Sequence, residues 1–222
     1  TPSNKISADL SLNRIDIRLD KIRTYDYPGG GTHNIVISFT AINSTGNENE
    51  NIKFAQKFKS NEGGNAGLIG YPIFLGLNVD KSSGANFRVN TINLSNDETD
   101  QAVSFLDSDA FNQGLSLLST AQPAIAPLAG LVTGAAKAAL KSGDGRQVEE
   151  FGIGLDYSGV TGARLSEGSY IVVQAPDEWN WSEWVLDTDG SKIVKKSEHN
   201  VMPEFNYYIF RVSRHLEKNT SL

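Results

Sequence analysis

The chain has 222 residues, 39% of them hydrophobic and 21% charged, a length and balance that suit one large domain with its own core. Its net charge of −6 offers no field for phosphate backbones, which sets nucleic acid aside as a partner. With no cysteine, thiol nucleophiles, disulfides and thiolate metal sites are all excluded, and the compartment stays undefined.

The chain begins at Thr1-Pro2 and its single methionine is Met202, which fits removal of an upstream segment. Ile6, Ala8, Leu10 and Leu12 alternate in one phase, and Ile15, Ile17 and Leu19 in the other, so the pattern predicts strands with a bulge near Asn13-Arg14. Asp26-Tyr27-Pro28-Gly29-Gly30-Gly31 is turn chemistry. A strand follows, with Ile35, Ile37, Phe39 and Ala41 on one side and Val36 and Ile42 on the other, an arrangement that predicts burial on both faces. The polar stretch 43–51 reads as a solvated loop, and Ile52, Phe54 and Phe58 as a weaker strand closed by 60–64. Ile69, Tyr71, Ile73, Leu75, Leu77 and Val79 alternate over eleven residues, while Pro72 on the other phase points to an edge strand or a bulge. Phe87, Val89 and Thr91 make one more strand.

The pattern then changes. Ser95-Asn96-Asp97-Glu98 is a capping-box arrangement, and residues 110–136 run for 27 positions without a charge. Leu128, Leu131, Val132, Ala135, Ala136, Ala139 and Leu140 recur at helical spacing, so an α-helical insert is expected around 95–143, placed at 95–146 with its flanks. Strands resume at Phe151, Ile153, Leu155 and Tyr157, again at 170–173, in a hairpin from Trp184 to Val194 around Asp189-Gly190, and over 205–212. The tail 215–222 is polar. Together these predict one domain over 1–222, an antiparallel β-sandwich of about eight to ten strands carrying a helical insert.

The chemistry-bearing residues are sparse. His33, His199 and His215 are isolated, no nucleophile or phosphate-loop motif occurs, and no cofactor or metal site is expected, so the chain reads as non-enzymatic. Asp187-Thr188-Asp189-Gly190 opens like a calcium loop but lacks the helices and ligands that one needs, which leaves a hairpin turn. Acidic groups at Asp97, Glu98 and Asp100 and at Asp107 and Asp109 read as caps and solvated loops. Four sequons, at Asn43, Asn93, Asn180 and Asn219, are near what chance supplies in an asparagine-rich chain. Trp179, Trp181 and Trp184 fall within six residues, either as a sheet-end cover or as an exposed stacking surface.

The run Ile15-Asp16-Ile17-Arg18-Leu19-Asp20-Lys21-Ile22, then Asp26, Gly30 and Ile35-Val36-Ile37, with Asn96-Asp97 through Asp109, Phe111 and Gly114 later, resembles the C2-type β-sandwich over less than half of the chain. The resemblance implies a C2-like scaffold. Thr32-His33-Asn34 stands where that family has an aspartate-proline-aromatic triplet, which implies loss of calcium-dependent lipid binding. The leading expectation is a protein-binding or self-assembling module whose contacts are Trp179, Trp181, Trp184, Leu128, Leu131 and Val132. The alternatives are a membrane-active protein inserting 110–136, against which Pro123 and Pro127 weigh, and a carbohydrate-binding module using the tryptophans.

Overall fold

The computed structural model describes residues 14–25, 31–45, 48–61, 63–79, 84–94, 145–158, 163–174, 180–189 and 191–216. The expected helical insert, the strand before Asn13 and the polar end of the tail lie outside them. Eleven strands follow in order: β1 (Arg14–Arg23), β2 (Thr32–Thr45), β3 (Glu48–Asn61), β4 (Asn65–Asn78), β5 (Ala85–Leu94), β6 (Gly145–Asp156), β7 (Ala163–Arg164), β8 (Gly168–Gln174), β9 (Trp184–Asp187), β10 (Lys192–Lys195) and β11 (Asn206–Arg214). One four-stranded sheet has the order β4-β1-β11-β8, one five-stranded sheet the order β3-β2-β5-β6-β7, and β9 and β10 form a separate hairpin. Every pairing is antiparallel except that of β6 with the two-residue β7.

The two sheets face each other because each presents an apolar row. Ile15, Ile17, Leu19 and Ile22 of β1 and Tyr208, Phe210 and Val212 of β11 meet Ile35, Ile37, Phe39 and Ala41 of β2 and Phe87 and Val89 of β5 in one buried cluster. Aromatic rings stitch the layers together. Phe210 stands edge-on to Phe87 at 5.5 Å and to Phe39 at 6.2 Å, and Phe151 meets Tyr208 at 5.2 Å. The predicted mainly β, two-layer antiparallel sandwich is therefore the architecture of the described residues.

Several local expectations change. Against β11 the register of β1 is unbroken from Ile15 to Leu19 and shifts between Leu19 and Lys21, a bulge at Asp20 that lets Leu19 and Ile22, three residues apart, both face the core; the bulge expected near Asn13-Arg14 involves the strand before Asn13, which lies outside the described residues. The stretch 43–51 is not a loop: Asn43 pairs with Glu50 and Thr45 with Glu48, a polar ladder that continues β2 into β3. Polarity there reports a solvated arm. In β2 burial on both faces holds at Val36 but not at Ile42, which is exposed.

Strand β4 pairs only with β1, as an edge strand, and its register against β1 shifts three times. Gly70 (φ 75°) and Gly76 (φ 70°) take left-handed backbone angles beside the register shifts, so Ile73 and Phe74 are both buried while Ile69 and Leu75 are exposed. Pro72 is exposed on this edge.

Candidate functional site

The β9–β10 hairpin lies on the outer face of the four-stranded sheet. Ile193 joins Tyr207 and Ile209 in a second buried cluster, with Ile171, Val173, Trp184 and Leu186 packed around it. The hydroxyl of Tyr207 accepts the Ile193 N–H at 3.3 Å, and burial raises the phenol above its ordinary pKa of 10.0. The hairpin turn is closed by Ser191 N–H to the Thr188 carbonyl at 3.4 Å, and Asp187 accepts from the Asp189 amide, as a turn between β9 and β10 requires.

Ahead of the hairpin, Trp181–Glu183 forms a single 3-10 turn. Asn180 caps it: its Oδ1 accepts from the Ser182 amide at 3.1 Å and hydroxyl at 2.7 Å, and its Nδ2 donates to Glu183 Oε1 at 3.0 Å. Lys196 fastens the other side, donating from Nζ to the Ser182 carbonyl at 2.6 Å and from its amide to the Glu183 carbonyl at 2.8 Å. The result holds Trp181 half exposed at 50%, with Val185 also exposed. Trp184 instead packs onto the second cluster. Two adjacent tryptophans thus have opposite roles, one anchoring the hairpin and one facing solvent. Trp179, Leu128, Leu131 and Val132 lie outside the described residues, as do 110–136 and the acidic groups at 97–109.

A second polar assembly crosses the outer face below the hairpin. Arg18 and Arg211 are paired directly across β1 and β11, a like-charge arrangement that each relieves through an aspartate. Arg211 donates from Nε (2.8 Å) and Nη2 (2.7 Å) to Asp20 Oδ2, while Asp20 Oδ1 accepts the Gly70 amide at 2.7 Å. Asp16 repeats the device: Oδ1 accepts the Gly76 amide at 2.9 Å and lies 2.7 Å from His215 Nδ1, with Arg18 Nη2 3.3 Å from Oδ2. Each carboxylate occupies the amide freed by a β4 bulge. These groups are consumed by structure.

The remaining candidates are also engaged. His33 is buried with Nδ1 3.0 Å from the Asn93 side chain, and His199 is exposed. The Asn93 sequon is buried, and the Asn180 side chain serves as the cap just described. Burial lowers Lys21, with Lys192 nearby adding to the effect and Asp20 opposing it, and burial lowers Arg88 on β5 to about 10. Among the described residues no three acidic or histidine side chains gather to hold a metal, and no helix is long and apolar enough to cross a membrane. Sequence reasoning named Asn180 only as a sequon and did not single out Lys196 or the edge of β8; the capping signal at Asn180 was legible, whereas Lys196 lies fourteen residues beyond the Ser182 carbonyl that it binds. Comparisons with protein-family models, with curated proteins and with solved structures find no match.

Proposed function

We propose that this protein is a non-catalytic β-sandwich that works through protein–protein contacts, self-association among them, with Trp181 as an anchor. The observation that supports the reading is the rigid presentation of a half-exposed tryptophan: capped by Asn180 and clamped by Lys196, it offers a large apolar surface whose ordering cost is already met in the free chain. The C2-like reading of the scaffold is supported by Ile15 to Ile22 and Ile35 to Ile37 falling in β1 and β2 of a two-layer sandwich, while Asp26, Gly30 and the segment from Asn96 to Gly114 lie outside the described residues.

Sedimentation velocity across a wide concentration range tests the proposal. Trp181→Ala should keep the melting temperature and weaken association by about tenfold or more, the loss of about 1.4 kcal/mol or more expected for an anchor. Trp184→Ala is the contrasting variant and should lower the melting temperature, because that ring covers the second cluster. Unchanged association in Trp181→Ala would dismiss the anchor. Asn180, Glu183 and Lys196 around Trp181 also give the sugar-binding alternative a polar rim, which a glycan titration followed by tryptophan fluorescence tests. The membrane-active alternative rests on 110–136, and dye release from liposomes tests it.

A further inference from the structure

The sandwich has four sheet edges, and three carry features that discourage pairing. β3 places Glu48, Glu50 and Lys59 exposed along its length. β4 has two glycine bulges and Pro72. β7 is two residues long. β8 has none of these: Gly168-Ser169-Tyr170-Ile171-Val172-Val173-Gln174 contains no charge and no proline. Its pairing with β11 runs from Gln174↔Asn206 to Gly168↔Val212 without a register shift, so the free side is a regular row of backbone donors and acceptors. No described residue pairs with that side. Both faces of the strand are already covered, with Tyr170 and Val172 against the main core and Ile171 and Val173 under the hairpin, so among the described residues the edge itself is the available surface.

We propose that the open edge of β8 is a strand-addition surface that takes β8 of a second copy of this chain, antiparallel across a two-fold axis. The choice of a second copy follows from the strand's own composition. Centred on Ile171, the pairing sets Ile171 beside Ile171, Tyr170 beside Val172 and Ser169 beside Val173, aromatic and β-branched neighbours with no like charges opposed. Two four-stranded sheets then become one continuous sheet. This inference rests on the self-association branch of the proposed function.

The experiment compares the wild type with Ser169→Lys/Gln174→Lys by sedimentation velocity. Both positions are exposed, although Ser169 pairs with Arg211 and the Gln174 side chain accepts from Asn206, so the double variant should fold with a slightly lower melting temperature, while each lysine sets a charge opposite the partner's Val173 or the partner's Gly168 and weakens dimerisation by about a hundredfold. A dimeric wild type with a monomeric double variant supports the edge. A wild type that stays monomeric at every concentration overturns both the edge and self-association, whereas a double variant as dimeric as the wild type overturns the edge alone and leaves Trp181→Ala to locate the contact. Hydrogen exchange gives a reading free of mutation: the alternate amides of β8 that point away from β11 should gain protection with rising protein concentration, and protection independent of concentration would count against the proposal.

Discussion

Ser191 is the described non-glycine residue with a left-handed backbone angle, φ 43°, and it sits buried at the end of the β9–β10 turn. A side chain at such an angle carries roughly 1 kcal/mol or more of strain, held here by the turn and by the docking of Ile193 behind it. Ser191→Gly should therefore raise stability by about 0.5–1 kcal/mol, the strain relief being partly offset by the larger entropy of glycine in the unfolded chain. Denaturant unfolding reads this as a higher midpoint at unchanged slope, and a lower midpoint would show that the hydroxyl matters more than the angle. Tyr170 illustrates a group whose role the sequence did not disclose. Its hydroxyl accepts the Ser166 amide at 2.9 Å and donates to the Arg164 carbonyl at 2.6 Å, binding the approach to β8 against the strand.

Strands β1 and β4 show how an irregular edge is stabilised. Each glycine bulge in β4 turns an amide away from the ladder, and Asp16 and Asp20, two turns of the pleat apart on β1, accept those amides. Asp20 is almost fully buried and also receives two hydrogen bonds from the half-exposed Arg211. Asp20→Ala should cost about 2–3 kcal/mol, because it strands the Gly70 amide while Arg211 regains water; Asp20→Asn, which keeps the acceptor for Gly70, should cost about half of that. Equal losses in thermal unfolding would mean that charge, not the bulge amide, dominates. The alternation over 69–79 predicted the strand and Pro72 an edge position or a bulge, and β4 has both. The alternation did not predict which residues face inward, because one bulge residue inverts every side chain after it.

Among the described residues, two apolar clusters of unequal size lie on either side of the four-stranded sheet, and Tyr207 ties the smaller one to it. With its folded-state pKa raised above 10.0, Tyr207 contributes nothing to pH dependence while both states are protonated; as pH rises past 10 the unfolded phenol ionises first and stability falls. Lys21 acts with the opposite sign. Its folded-state pKa lies below 10.5, so in the interval up to 10.5 the unfolded chain holds more protons and stability rises with pH. Tyr207→Phe should cost about 1–2 kcal/mol at neutral pH by stranding the Ile193 amide, and its deficit against the wild type should shrink as pH passes about 10. Melting curves between about pH 8 and 11 check this, and a deficit constant through pH 10 would show that the phenol titrates alike in both states.

The sequence by itself determined the strand-rich class, the inward rows of β1, β2 and β5, the closing strand over 205–212 and the hairpin around Asp189-Gly190, since period-two patterning and turn chemistry are local properties of the chain. Only the tertiary structure decided the rest. Whether 43–51 was a loop or a ladder depended on a partner strand, the opposite fates of Trp181 and Trp184 depended on where the hairpin lands, and the contrast between β8 and the other edges depended on sheet order. Each of these is set by pairing and docking between segments far apart in the chain, and the free energy of such contacts belongs to neither segment alone.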